Sequence, residues 1–255
     1  MRADDDGHYD DAIASLADRN YTAAGDAYTR AGRRVLSGPR ANSSPFDDDE
    51  HGWVGIGLSY LCTASICYRV AGQQARATHR AVEGVAVSRD LAAVTDRVVQ
   101  RACFEELIAD LHVAGDLNGV DEAYDDAVTA YQDAGAGITD PQRWATTPLF
   151  EAAATPLTQV ARSLADGEIA IEWEQLHGSD PADQAAFLAE RARYKRRRFP
   201  SLLDRVVEGG YLAAPRGSTE YDTDHHYCPN CESTSVNWIG DDVLCLRCSS
   251  VARPQ

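Results

Sequence analysis

Four cysteines near the C-terminal end carry the clearest chemistry: Cys228-Pro229-Asn230-Cys231 and Cys245-Leu246-Arg247-Cys248, with thirteen residues between the pairs. Two CxxC pairs at this separation have the residue type and spacing of a tetrahedral four-thiolate metal site, with zinc the expected ion. Four sulfurs fill the shell and leave no position for water or substrate, so the expected role is structural. The alternatives are two disulfides or unengaged thiols; paired CxxC in a cytosolic chain favours the metal. His225 and His226 stand just upstream and could replace a cysteine, but with four cysteines present they read as linker residues.

The second charged feature is Arg191-Ala192-Arg193-Tyr194-Lys195-Arg196-Arg197-Arg198, a basic run in an acidic chain. Two readings stand. Arg191, Arg193, Lys195, Arg196, Arg197 and Arg198 form a phosphate-contacting helix, joined by Trp238, and nucleic acid is a partner. Or the run is a helix end paired with the protein's own carboxylates. Trp238 is likewise read either as a contact for a partner or as packing over the cysteine knuckles or the helices. Catalytic signatures are missing: GxxxxGK[ST], HExxH and GxSxG do not occur, and Gly52, Gly55 and Gly57 do not fit a dinucleotide fingerprint. Glu105-Glu106 and Asp125-Asp126 point to different helix faces and read as solvated surface. Cys103 and His112 are too far apart along one helix to pair directly. No catalytic residue is expected.

The elements that position these residues are of two kinds. Ser235–Ile239 reads as a strand, Gly240–Asp242 as a turn and Val243–Cys245 as the returning strand, so the cysteines sit on a short hairpin, a zinc ribbon. A module of about thirty residues cannot bury enough apolar surface to fold alone. Metal binding is expected to supply most of its folding energy. Upstream, from Tyr9 to Leu212, nearly every segment reads as helix. Breaks are expected at 38–49, 115–119, 135–141, 178–181 and Pro200. Ser179 or Asp180 caps a helix with Pro181 in its first turn that runs to Phe199 and ends at Pro200, with Ser201–Glu208 as a further short helix. The expected organisation is a helical domain over 1–213, a polar linker over 214–226 and the ribbon over 227–255.

The helical part repeats itself. Tyr21, Ala24, Ala27, Tyr28, Ala31 and Gly32 share identity and spacing with Tyr124, Ala127, Ala130, Tyr131, Ala134 and Gly135. Leu61, Ala64, Cys67, Tyr68, Ala71 and Gly72 form a weaker copy, and Phe104–Gly115 a fourth that keeps mainly its ending. The alanines let a neighbouring helix approach, the tyrosines wedge into it and the glycine ends the helix. This pattern resembles the second helix of a tetratricopeptide-type repeat, and the larger SNAP-like helical-hairpin proteins look similar. The two best copies lie 103 residues apart, close to three units of about 34 residues. The resemblance implies a mainly α fold, an α-solenoid or helical-hairpin array over residues 8–135, with a groove that takes an extended segment of a partner protein. Tyr21, Tyr28, Tyr68, Tyr124 and Tyr131 are the expected partner contacts. An irregular helical bundle is the alternative.

Composition sets the environment. The 255 residues carry a net charge of −16 and an isoelectric point of about 4.7. Of 24 Lys+Arg only Lys195 is lysine. This resembles a protein of a salt-loving archaeon, in whose molar KCl the charge is a solubility device. Phosphate binding by counterion release weakens in the same salt. Met1–Asp6 has no signal-peptide core. The uncharged stretch Gly52–Tyr68 is shorter than a membrane span of about 20 residues and reads as a buried helix. Cys62, Cys67 and Cys103 read as small core residues. A cytoplasmic, non-enzymatic adaptor with a protein partner, away from membranes, is the expectation.

Overall fold

Three helix pairs follow one another, and each reverses through the same backbone turn. The computed structural model describes residues 7–38, 53–135, 141–177 and 183–255. The pairs are α1 (His8–Ala17) with α2 (Tyr21–Ser37), α3 (Trp53–Val70) with α4 (Gln74–Val94), and α5 (Val98–Gly115) with α6 (Val120–Gly135). At the three reversals Arg19, Gly72 and Asp116 take φ of 55°, 71° and 54°. The next N–H then reaches back five residues: Asn20 to Ser15 at 2.8 Å, Gln73 to Tyr68 at 2.8 Å and Leu117 to His112 at 2.9 Å. This is the Schellman closure, which satisfies carbonyls the helix end would otherwise leave open. Only one of the three left-handed positions is glycine. Arg19 and Asp116 hold it at a cost of about 1 kcal/mol each, so glycine punctuation alone finds the turns unevenly.

The pairs stack through α2 on α3, α4 on α5, and α3 on α5. Small residues set the spacing: a Cβ on Gly25 would stand 2.7 Å from the Tyr68 ring, and one on Gly32 would stand 3.0 Å from the Gly57 carbonyl. Helix α3 is buried nearly all round, with Leu58, Leu61, Cys62, Ala64, Cys67 and Tyr68 inside, as the absence of charge up to Tyr68 requires. Cys103 on α5 is equally buried. No helix among the described residues is long and apolar enough to cross a membrane. The two strong sequence copies occupy α2 and α6, both second helices of a pair. The weaker copies fall on the first helices α3 and α5, so the sequence register and the structural register differ.

The chain continues through α7 (Pro141–Ala145), α8 (Pro148–Ser163), α9 (Trp173–His177) and α10 (Gln184–Gly209). Helix α8 lies on α3 and α5; α10 runs along α6 and also meets α5, α8 and α3. The architecture is therefore a helical-hairpin array whose α3–α5 face is covered by the chain's own later helices. Helix α10 does not stop at Pro200 but passes through it to Gly209. Phe199, Leu203 and Val206 are buried on both sides of the proline, and that packing outweighs one missing hydrogen bond. Asp183 caps α10, its carboxylate accepting from the Ala186 N–H at 3.0 Å. The expected cap at Ser179 or Asp180 and the first-turn Pro181 lie outside the described residues.

The C-terminal module is a three-stranded antiparallel sheet in the order β1 (Ser218–Glu220), β3 (Val236–Ile239), β4 (Asp242–Cys245), beside a two-stranded ladder of β2 (His226–Tyr227) and β5 (Arg253–Pro254). Gly240, at φ 62°, and Asp241 form the two-residue turn between Ile239 and its partner Asp242. Residues 214–226 are not a free linker. Ala214 is buried, Ser218–Glu220 pair with β3, and Asn237 fastens the approach by accepting from the Gly217 N–H at 2.8 Å and donating to the Pro215 carbonyl at 2.9 Å. The segment is polar, yet its backbone groups find partners in the sheet and its small residues enter the core.

Candidate functional site

Two knuckles of the same geometry bring the cysteines together. In the first, the Glu232 N–H donates to the Cys228 carbonyl at 2.9 Å and the Cys228 N–H to the Ser233 carbonyl at 2.9 Å. In the second, Ser249 donates to Cys245 at 3.0 Å and Cys245 to Ser250 at 2.7 Å. Glu232 and Ser249, each one residue past its CxxC, are both left-handed, with φ of 62° and 58°. The four sulfurs lie within 4.8 Å of one another, and the Cys228–Cys248 and Cys231–Cys245 pairs are each at 3.5 Å. Tetrahedral thiolate ligation at about 2.3 Å separates sulfurs by about 3.8 Å, so Cys228, Cys231, Cys245 and Cys248 could hold one metal ion. Burial pushes the Cys228 thiol up, while the N–H groups of Asn230 and Cys231 pull it back by donating to the sulfur. The Asn230 side chain adds a donor to the Cys248 sulfur at 3.6 Å. His226 is not among the ligands. Its ring meets Trp238 edge-on at 5.3 Å.

The ribbon is bolted to the helices. Ser249, in the second knuckle, accepts from the Ala214 N–H at 2.9 Å and from the Tyr211 hydroxyl at 3.2 Å. Arg162 of α8, 3 % exposed, points its guanidinium at carbonyls alone: Gly167 at 2.9 and 3.1 Å and Ala214 at 2.5 Å. Burial pushes this guanidinium down to about 10, and neighbouring Arg216 adds to the shift. Gly167, at φ 82°, passes so close that a Cβ would stand 1.7 Å from the Leu246 carbonyl. Gln159 donates to the Ala213 carbonyl at 2.8 Å, and Ser163 accepts from the Ala213 N–H at 2.8 Å.

Between ribbon and helices lies a cavity of about 700 Å³. Tyr9, Tyr28 and Tyr60 form one wall, with Tyr9 and Tyr60 stacked at 5.3 Å and Tyr28 tilted against Tyr60 at 5.7 Å. Pro215, Arg216, Gly217, Ser218 and the half-buried Trp238 form the other, and Glu151 and Thr155 of α8 close a side. Here the Tyr28 hydroxyl is buried without a hydrogen-bond partner; Gln159 faces it. A buried polar atom left open is rare in native structures, because leaving one unsatisfied costs about 1–3 kcal/mol.

The five tyrosines expected to touch a partner are core residues. Tyr21 is 7 % exposed, Tyr28 1 %, Tyr68 2 %, and Tyr124 and Tyr131 are fully buried. They wedge helices together, as their rows of alanine imply; of the five, Tyr28 also borders the aromatic cavity and Tyr68 a second cavity beside α2. The basic run corrects in a similar way. Arg191 and Lys195 are buried. Arg191 grips Glu106 with two contacts of 2.7 Å, and Lys195 reaches Asp110 at 2.5 Å and Glu106 at 2.6 Å. Tyr131 donates to Glu106 at 2.6 Å and Tyr124 to Asp110 at 2.7 Å. Burial pushes the Glu106 carboxyl up, but Arg191 and then Lys195 outweigh it and hold Glu106 well below the usual carboxylate range. Glu106 is thus the anchor of an internal network, not solvated surface. Arg193 and Arg197 face Glu190, and Arg196 pairs with Asp121 and Asp125. Arg198 is exposed on α10. Burial of Arg191 and Lys195 removes two members of the run from any surface, and Trp238 lies on the ribbon wall of the cavity.

Sequence reasoning did not find Tyr9, Tyr60, Arg162 or Arg216. Arg162 left one signal, as the lone charge between Glu151 and Asp166. The two tyrosines left none, because only the stacking of α1 on α2 and α3 brings them together. No protein-family model, curated protein or solved structure matches the chain.

Proposed function

We propose that the chain is a non-enzymatic, protein-binding adaptor that takes an extended segment of its partner into the cleft between the helical array and the ribbon. One observation carries this reading: the aromatic cavity of about 700 Å³ with the open Tyr28 hydroxyl at its wall. Strand β1 runs beside it and pairs only with β3 among the described strands, so its outer backbone groups suit strand addition. A Tyr- and Trp-lined cavity with a few polar groups is the usual composition of a recognition site. Zinc is the ion proposed for the four thiolates, where its part is to fix the knuckles and thereby the Trp238 wall. The array is read as tetratricopeptide-like, and the acidic, lysine-poor surface as suited to a salt-rich cytoplasm. The buried ionisable groups Glu106, Asp110, Arg191 and Lys195 engage one another, which leaves them a structural part.

The test is affinity purification in molar KCl with the wild type and with Tyr60→Ala/Trp238→Ala, together with metal analysis of both. The expected result is one zinc per chain in each and a partner recovered only by the wild type. Recovery of the same partner by the variant would refute the cleft as its site, and preparations without zinc would refute the metal.

A further inference from the structure

Away from the ribbon, α2 and α4 border a cavity of about 280 Å³ lined by Arg30, Arg33, Arg76, His79 and Arg80, together with Asp26, Thr29 and Tyr68. Four of the 24 basic residues of a chain with net charge −16 therefore converge on one small space. Two carboxylates meet them. Glu83 takes both nitrogens of Arg33 at 2.8 and 3.0 Å and also pairs with Arg80, while Asp26 pairs with Arg76. These contacts account for how α2 is held to α4. They leave a surplus of two positive charges before His79 is counted, and neither Arg30 nor His79 has an ion-pair partner among the described residues.

The pairs also orient the cluster. Arg76 lies over the Tyr68 ring at 4.2 Å and donates to its hydroxyl at 2.9 Å. Arg33 is fixed by its two-pronged hold on Glu83, while the Thr29 hydroxyl donates to the Gly25 carbonyl at 2.7 Å and the Tyr68 hydroxyl to Asp26 at 2.7 Å. Fixed guanidinium planes with extra N–H groups match a doubly charged tetrahedral oxyanion, which takes several donors at once. We infer that this α2–α4 cavity is an anion site for a phosphate group, with Arg30 and His79 as the residues left open to receive it. The site is separate from the aromatic cleft and stands on its own observations.

Phosphorus NMR and calorimetric titration of the full-length, metal-loaded chain provide the test, with inorganic phosphate in one arm and a phosphoserine peptide in the other. Saturable binding of either supports the site. Equal affinities assign it to the free anion, and a peptide tighter by about tenfold or more assigns it to a phosphorylated segment. Arg30→Ala removes an exposed residue with no described partner, so the fold is expected to stand while affinity falls about tenfold; Arg30→Lys recovers part of it. Binding of neither probe, or wild-type affinity in both Arg30→Ala and His79→Ala, would overturn the inference.

Discussion

Helices α2 and α6 carry the same six residues at the same spacing and use them for opposite ends. In α6 both tyrosine hydroxyls close onto charge: Tyr124 on Asp110 and Tyr131 on Glu106, carboxylates of α5 that in turn hold Lys195 and Arg191 of α10. In α2 the first hydroxyl, Tyr21, accepts from the Leu212 N–H at 3.1 Å, next to the strap that leads into the ribbon. The second, Tyr28, ends at the aromatic cavity without a partner. The alanines do the same work in both helices, since close approach depends on side-chain size alone. What the tyrosine tips meet depends on the neighbouring element. One copy of the motif therefore locks three helices, and the other leaves an open polar atom where two modules meet.

The largest way to break this contrast is Glu106→Ala. It strips a buried arginine and a buried lysine of a shared counter-charge, and removing one partner of such a network costs about 3–5 kcal/mol. Denaturant unfolding in molar KCl is expected to show that loss. Amide exchange is expected to place it in α5, α6 and α10, with α2 retaining its protection until the whole array unfolds. A loss spread equally over α2 and α6 would mean that the two copies are not energetically distinct.

A pH series sharpens the same contrast. His177 on α9 stacks on Phe187 at 5.0 Å and lies beside Trp173. Burial pushes its pKa down to about 4 from 6.5, with Arg191 adding to the shift and Glu106 opposing it. The unfolded chain thus binds a proton between pH 6.5 and 4 that the folded chain refuses. Stability contributed by neutral His177 is full above 6.5 and is lost as pH falls toward 4, by about 3 kcal/mol. The difference between wild-type and His177→Phe unfolding curves isolates this slope from the carboxylates. A flat difference would show that burial does not hold the His177 imidazole neutral.

Much of this was legible in the sequence, and the remainder fails for physical reasons. The CxxC spacing gave the sulfur cluster because ligand geometry is local to two knuckles. The uncharged run before Tyr68 gave the buried helix α3 because an all-round core contact tolerates no charge. The turn at Arg19 was hidden because a non-glycine residue adopts the left-handed conformation there, whereas the turn at Asp116 fell within the expected break at 115–119, where Gly115 and Gly119 flank it. Glu106 and Lys195 were unreadable as a pair because they meet across 89 positions of chain, and nothing local separates a buried carboxylate from a solvated one. The continuation of α10 past Pro200 was hidden likewise, since local propensity yields to packing on both flanks.

The smallest effect separates the two helices most directly. Tyr131→Phe removes a 2.6 Å donor to a buried carboxylate and is expected to cost about 2 kcal/mol, the usual range for a hydrogen bond to a charged group. Tyr28→Phe removes a hydroxyl that has no partner, so the expected change lies within about 0.5 kcal/mol, and a slight gain is consistent with relieving a buried unsatisfied group. The two substitutions are chemically identical, occupy equivalent places in the repeat and fall on tyrosines that are 1 % (Tyr28) and 0 % (Tyr131) exposed, so differences in solvent exposure do not confuse them. If the cleft receives a partner that satisfies Tyr28, the same Tyr28→Phe protein is expected to keep its stability and lose about tenfold in partner affinity. Equal stability costs in the two variants would make the hydroxyls equivalent and remove the Tyr28 argument for the cleft. Loss of affinity without loss of stability would tie recognition to one oxygen atom.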